Sequence, residues 1–180
     1  MIIYRLRADV REHRMLALVH YSDQGIAAGF KGDSLLSTWQ PYPIKSVGDG
    51  DAHDFSIPDF ATLGAIPVFS GRAVTVLKPF LEHDGEILPF TSGEGVFFAF
   101  NATRVLDALD EERSEIRHYA DGGVKDITRY EFVVERLTDA QIFKIPQRRT
   151  YLFVTDPFVE AVSAHNLSGF DFQAVWTRQE

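Results

Sequence analysis

The stretch Val96-Phe97-Phe98-Ala99-Phe100-Asn101-Ala102-Thr103-Arg104-Val105-Leu106-Asp107-Ala108-Leu109-Asp110 decides how the rest of the chain is read. Its first five residues are apolar on both parities: Val96, Phe98 and Phe100 address one side of an extended chain, Phe97 and Ala99 the other. A strand of that kind is covered on both faces, which places it in the middle of a sheet. After Asn101 short polar groups take over. A second apolar pulse follows at Val105, Leu106 and Leu109, and then comes Asp110-Glu111-Glu112. One continuous segment thus leads from a buried centre to an acidic surface.

Working outward, Ser92-Gly93-Glu94-Gly95 has hairpin-turn chemistry and joins this strand to another at Glu86–Thr91. Upstream, Ile66-Pro67-Val68-Phe69 is extended, Ser70 stands as an N-cap, and Val74, Leu77 and Leu81 recur at helical spacing. Pro79 is expected to bend or end that helix, and Asp84-Gly85 to close it. Downstream the same order returns. Phe153-Val154 leads into Thr155 as N-cap, with Pro157 in the first turn. Phe158, Val159 and Val162 mark a buried helix side, and Asn166 to Gly169 end the helix before the alternating strand Phe170–Trp176. Setting Ser70 over Thr155 and Val74 over Val159, with a one-residue gap, brings Gly85 over Gly169. The chain thus holds two related strand-helix-strand units.

The remaining segments are strand-like. Ile2–Arg7 reads as a half-exposed strand with Arg5 and Arg7 on one side, a solvated edge whose basic neighbourhood is served by Asp9 and Glu12. Leu16–Tyr21, Ile127–Val134 and Ile142–Ile145 follow the same logic, and Trp39-Gln40-Pro41-Tyr42-Pro43 is held extended by its prolines. The expected architecture is α+β: a mixed, mostly antiparallel sheet with a few helices packed on it, in one domain over residues 1–180.

Composition narrows the function. With 45% hydrophobic residues in 180, the chain can bury a core of its own. It has no cysteine, which removes disulfides, thiolate metal sites and cysteine nucleophiles. The net charge of −8 speaks against nucleic acid or an anionic membrane as partner. Met1–Arg7 lacks the apolar core of a signal peptide, so a cytoplasmic location is expected.

Catalytic signatures are missing. No serine lies in a Gly-x-Ser-x-Gly elbow, and Ser70 serves better as a cap. The six histidines include no pair three to five residues apart, so a helical zinc motif is excluded. None of the five lysines follows an acid by two positions, as a common nuclease motif requires. Asp49-Gly50-Asp51-Ala52-His53-Asp54 begins like a calcium loop but has Asp54 where glycine is needed and Phe60 where glutamate is needed. No cofactor, metal site or catalytic residue is therefore assigned. Asn101 and Thr103 are expected to satisfy backbone groups where the central strand ends, and Arg104 to pair with Asp107 or Asp110.

The aromatic strand followed by Asn101-x-Thr103-x-Val105-x-Asp107-Ala108-Leu109-Asp110 resembles the immunity proteins of bacterial polymorphic toxin systems, specifically the eleventh such family. The resemblance extends from the Trp39-Gln40-Pro41 segment onward, through Ile66–Ser70, Gly85–Pro89, Ile142–Pro146 and Phe153–Asp156, with Ala102 where the family most often has valine. It implies a cytoplasmic antidote, not an enzyme, that binds a toxin delivered by neighbouring cells. It carries over no catalytic residue.

Two acidic segments are the expected partner-binding surface: Asp49, Asp51 and Asp54 in the first, Asp107, Asp110, Glu111, Glu112 and Glu115 in the second. They suit a toxin with a basic active-site face, bound by a monomer or homodimer. The rival readings are a small enzyme using dispersed acid–base groups, such as His53 with Asp51 or Asp54, and an interaction module unrelated to immunity.

Overall fold

A computed structural model describes every residue except Val10, Glu12, Arg14, residues 48–55, Thr138 and residues 179–180. The chain runs β1 (Ile2–Ala8), β2 (Met15–Leu18), 3₁₀ turns over Tyr21–Gly29, β3 (Ile44–Val47), β4 (Phe60–Leu63), β5 (Ile66–Ser70), α1 (Gly71–Asp84), β6 (Gly85–Pro89) and β7 (Phe97–Ala102). It continues with β8 (Glu115–His118), β9 (Val124–Arg129), 3₁₀ residues Val134–Arg136, β10 (Ile142–Ile145), β11 (Arg148–Thr155), α2 (Asp156–Ala164) and β12 (Phe170–Thr177). The class is α+β as expected, but the single sheet is replaced by two. One has the order β4-β5-β7-β6, the other β10-β11-β1-β12, and the ribbons β2-β3 and β8-β9 lie beside them. All pairing between these strands is antiparallel. Among the described residues, parallel pairing is confined to single bridges, Pro43 with Thr91 and Val105 with Lys144.

Both four-stranded sheets are built alike. A hairpin (β4–β5 or β10–β11) feeds a helix, the next strand returns parallel to the one before the helix, and a strand antiparallel to both fills the gap between them. In the first unit the filler is β7, which follows directly. In the second it is β1, some 150 residues away in sequence. β1 is therefore interior, and the edge expected there is corrected: its alternation reflects two differently packed sheet faces. The glycines matched between the units play matching parts, since a Cβ on Gly85 would collide with the Asn101 carbonyl and one on Gly169 with the Phe60 carbonyl.

The helix caps differ. Ser70 Oγ accepts from Ala73 N at 3.1 Å, a standard N-cap bond. Thr155 stands at the cap of α2 in extended conformation but sends its hydroxyl to Gln141 Oε1, at 2.6 Å. Asp156 in the first turn accepts from Ile2 N at 2.8 Å, which ties the filler strand to the helix. Pro79 does not end α1, which continues to Asp84. The cost of about 3 kcal/mol is outweighed because Leu77 and Leu81 on either side are wholly buried. Two strand expectations also shorten: after Leu18 the chain turns into 3₁₀ geometry at Tyr21, and the segment from Tyr130 to Val133 stays extended outside any long strand before the turn at Val134.

The helices share one core between the sheets, where Phe69, Phe100, Leu77 and Leu81 meet Leu6, Leu152, Phe158 and Val162. Phe97 and Ala99, on the other parity of β7, pack with Phe30, Ile44 and Leu88, so the central strand is covered on both faces as read, but Val96, read as its first residue, lies before it and is exposed. On the far side of the other sheet Ile3, Phe143 and Phe153 meet Leu109, Tyr130 and Phe132. The deciding stretch threads these layers. Beyond β7, Lys144 N donates to Arg104 O and Leu106 N to Lys144 O, both at 2.8 Å, and Val133 N donates to Ala108 O at 2.9 Å.

Buried polar groups fix these layers. Asp84, with no exposed surface, accepts from Gln141 N at 2.8 Å and Ile142 N at 2.7 Å, and its carbonyl accepts from Thr103 N at 3.1 Å. Asp59 is buried as well. It accepts from Ser70 Oγ at 2.8 Å, Arg72 Nη1 at 2.7 Å and Ser168 N at 3.0 Å. Lys144, 3% exposed, donates to Phe30 O at 2.7 Å. Burial, with the Arg149 charge adding to it, brings its amine down to about 8.

Replacing Asp84 by alanine leaves two buried amides without acceptors and is expected to cost about 3 kcal/mol in urea unfolding. Between about pH 8 and the ordinary lysine value of 10.5, the unfolded chain holds a proton at Lys144 that the folded chain has released. Stability from this group therefore rises with pH across that window, and Lys144→Met should remove the rise when unfolding curves are compared at pH 7.5 and 9.5.

Candidate functional site

The second acidic segment grows from a buried root. Ala108 and Leu109 are fixed in the core, Leu109 bridging to Phe132, so the residues that follow them project outward. Asp110 caps the turn it begins: Oδ1 accepts from Arg113 N at 3.1 Å, and its carbonyl accepts from Ser114 N at 2.9 Å. Glu111 accepts from Gln147 Nε2 at 2.5 Å. Glu112 is exposed and has no hydrogen bond or ion pair among the described residues. The flanking acids are met by arginines, Asp107 by Arg136 at 3.6 Å and Glu115 by Arg129 at 3.1 Å. Such exposed pairs add little stability but cancel field locally, so negative potential concentrates at Asp110–Glu112.

Beside this turn lies a groove of about 590 Å³. It is lined by Asp110, Arg113, Glu131 and Glu135 together with Val175 and Trp176 of β12 and Arg178 just past it, so two arginines share it with three acids. Trp176 Nε1 donates to Glu131 Oε2 at 3.0 Å across it. Of the sequence-selected residues, the structure brings Asp107, Asp110, Glu111, Glu112 and Glu115 onto one segment, and Asp110 alone of these lines the groove. Asp49, Asp51 and Asp54, together with His53 and the calcium-like loop, lie outside the described residues. The groove's Glu131, Glu135 and Trp176 were not selected from sequence. The alternation of Ile127–Val134 puts Glu131 on the outer face but could not give it its neighbours, which leave it half-buried.

A second cleft, of about 430 Å³, opens where β1 and β11 approach β4 and β5. Arg5 lies 3.5 Å over the ring of Tyr151, Arg148 lies 5.3 Å from that ring's centre, and Arg7 pairs with Asp171 at 2.6 Å. The basic N-terminal neighbourhood is thus served by Asp171 as well as by the expected Asp9, which pairs with Arg11 at 2.8 Å.

Acid–base groups also converge at one point. His83 Nδ1 is 2.8 Å from Asp84 Oδ1 and its Nε2 is 3.2 Å from Asp139 Oδ2. Arg104 completes the cluster at 2.5 Å from Asp139 and 3.6 Å from Asp84. The hydrogen bond from Arg104 is the main reason the Asp139 carboxyl lies below its usual range. These four residues line neither groove, and they join the end of α1 to the start of β10. The expected pairing of Arg104 with Asp107 or Asp110 is therefore corrected. Its carbonyl is bonded to Lys144 N, which lays the turn along β10 toward Asp139, while Asp107 belongs to Arg136. Asn101 acts as expected, donating to Asp33 O at 2.8 Å, whereas at Thr103 it is the backbone amide that bonds.

A model of the Immunity protein family (Imm11) matches residues 80–177, more than half of the chain. The chain belongs to that family. The Imm11 match runs from within α1 to the end of β12 and so contains the acidic segment, the groove beside it and the His83–Arg104 cluster. The sequence resemblance from Trp39 to Pro79 lies before the matched span. No curated protein matches the chain. Toxin immunity is the role to which Imm11 membership points.

Arg104→Ala should lower the melting temperature by about 4–6 °C, because it leaves two acids beside His83 without their guanidinium. Glu112→Lys, at an exposed and unpaired position, should leave it within about 1 °C, as read by calorimetry of both variants.

Proposed function

We propose that this chain, acting as one unit over residues 1–180, is a cytoplasmic immunity protein that binds a cognate toxin and covers its active or substrate site, without catalysis or a cofactor of its own. The observation that carries the reading is the turn Asp110-Glu111-Glu112, unpaired at its tip and set beside a groove on a rigid root, in a member of an immunity family. A protein inhibitor needs such a root, because contacts made by a preorganised surface lose less to ordering on binding. The target this surface fits is a basic face on the toxin. With a net charge of −8 behind it, opposite charge can raise the association rate by roughly 10–10³ fold at low salt. Asp49, Asp51 and Asp54 are the second proposed contact, in an interface on the order of 1,600 Å².

Expressing the toxin domain encoded by the neighbouring gene should kill a test cell, and co-expressing this protein should rescue it and co-purify with the toxin. Lysine at positions 111 and 112 should weaken the purified complex about 10-fold or more and flatten its salt dependence, and adding Asp110→Lys should weaken it further. Unchanged affinity and salt dependence in the folded double variant would falsify the acidic contact.

A further inference from the structure

The two sheets present four edge strands, and three are covered. β10 is bridged by Arg104–Leu106, as described above. β6 is covered by the chain before β3: Trp39 Nε1 donates to Pro89 O at 2.8 Å, and the Glu86 carboxylate accepts from Ser34 Oγ at 2.5 Å and Leu35 N at 2.9 Å. β4 meets the loop before β12 through Phe60 N to Ser168 O at 3.0 Å, with β2 alongside. β12 is different. It pairs with β1 on one side, and among the described residues nothing bonds to its backbone on the other.

An open edge of eight residues exposes a row of amides and carbonyls, which chains usually guard with lysine, proline or a very short strand. β12 has one charged residue, Asp171, and neither lysine nor proline. A register shift where it passes Ile3 and Tyr4 marks only its last part. Both faces of the strand are already held: Phe170 stacks on Phe60 at 4.9 Å, Phe172 meets Tyr4 at 6.1 Å, and Trp176 meets Phe132 at 5.9 Å. The template is therefore rigid, and its middle, Gln173 and Ala174, is exposed.

We infer that the outer edge of β12 is where the partner toxin adds an extended segment to the sheet, with basic side chains at one end reaching Asp110, Glu131 and Glu135 in the groove, between its own Arg113 and Arg178. This rests on the immunity reading above and extends it from a charged surface to a mode of docking. Two features select this occupant. The end of β12, beyond the register shift at Val175, itself lines the groove, so a strand laid along the edge is led toward Asp110. A second copy of the chain would bring another net −8 to the same place. Main-chain bonds would supply the affinity and the groove the selectivity.

Hydrogen exchange on the purified complex with the neighbouring-gene toxin domain tests the inference directly. β12 amides that exchange rapidly in the free protein should become protected on binding. Neighbouring residues of a strand send their amides to opposite sides, so of Gln173→Pro and Ala174→Pro one should keep the native melting temperature, and that variant should bind the toxin at least 10-fold more weakly. A complex that leaves β12 exchange unchanged overturns edge docking and leaves the immunity reading standing. A free protein that sediments as a dimer with β12 already protected also overturns it, since a copy then occupies the edge. Failure of the toxin to be bound or neutralised overturns both.

Discussion

The Asp84 carboxylate, sealed from solvent, is the constraint on which the arrangement depends. It sits at the end of α1, where the negative pole of the helix disfavours an acid, and it is kept there by two backbone amides from the start of β10 and by His83 and Arg104. Asp59 does the complementary work at the other end of the same helix, bonding the Ser70 cap and reaching Ser168 ahead of β12. α1 is thereby clamped at both ends to the opposite sheet. Apolar burial in the shared core supplies most of the stabilisation, but it is non-directional. The buried acids determine the register at which the two sheets meet.

That register decides where the functional surface falls. The chain leaves β7, is held against β10 by backbone bonds on both sides of Val105, and is rooted again at Ala108 and Leu109 before it becomes acidic. The acidic turn thus has a fixed address relative to β12, and the two together enclose the groove. Membership of the Imm11 family covers this same span, from the second half of α1 to β12.

Much of this was legible in residue pattern. The double-sided apolarity of Phe97–Phe100 identified an interior strand, and the offset between Ser70 and Thr155 identified a repeated unit. What pattern could not express was pairing between distant segments. Ile2–Arg7 alternates like an edge strand, yet it is interior because β11 and β12 close around it with different environments on its two faces. Arg104 has acids three and six positions ahead, yet its partners are Asp84 and Asp139, delivered by the helix end and by β10. Asp59 follows an acid-rich run that gives no sign of its role, because its partners lie 11, 13 and 109 residues away. The groove was hidden for the same reason, because its walls come from three separate parts of the chain.

The exchange of fillers between the two sheets carries a temporal consequence. β7 emerges next to the strands it separates, so the first sheet can close while the ribosome is still working. β1 is made long before its partners: its slot between β11 and β12 does not exist until more than 140 further residues have been added. During that interval a strand whose Ile3 and Leu6 belong in the core waits unpaired, and non-local pairing of this kind is slow and open to aggregation. The second sheet, and with it the groove that β12 borders, can accordingly form only once translation has reached β12.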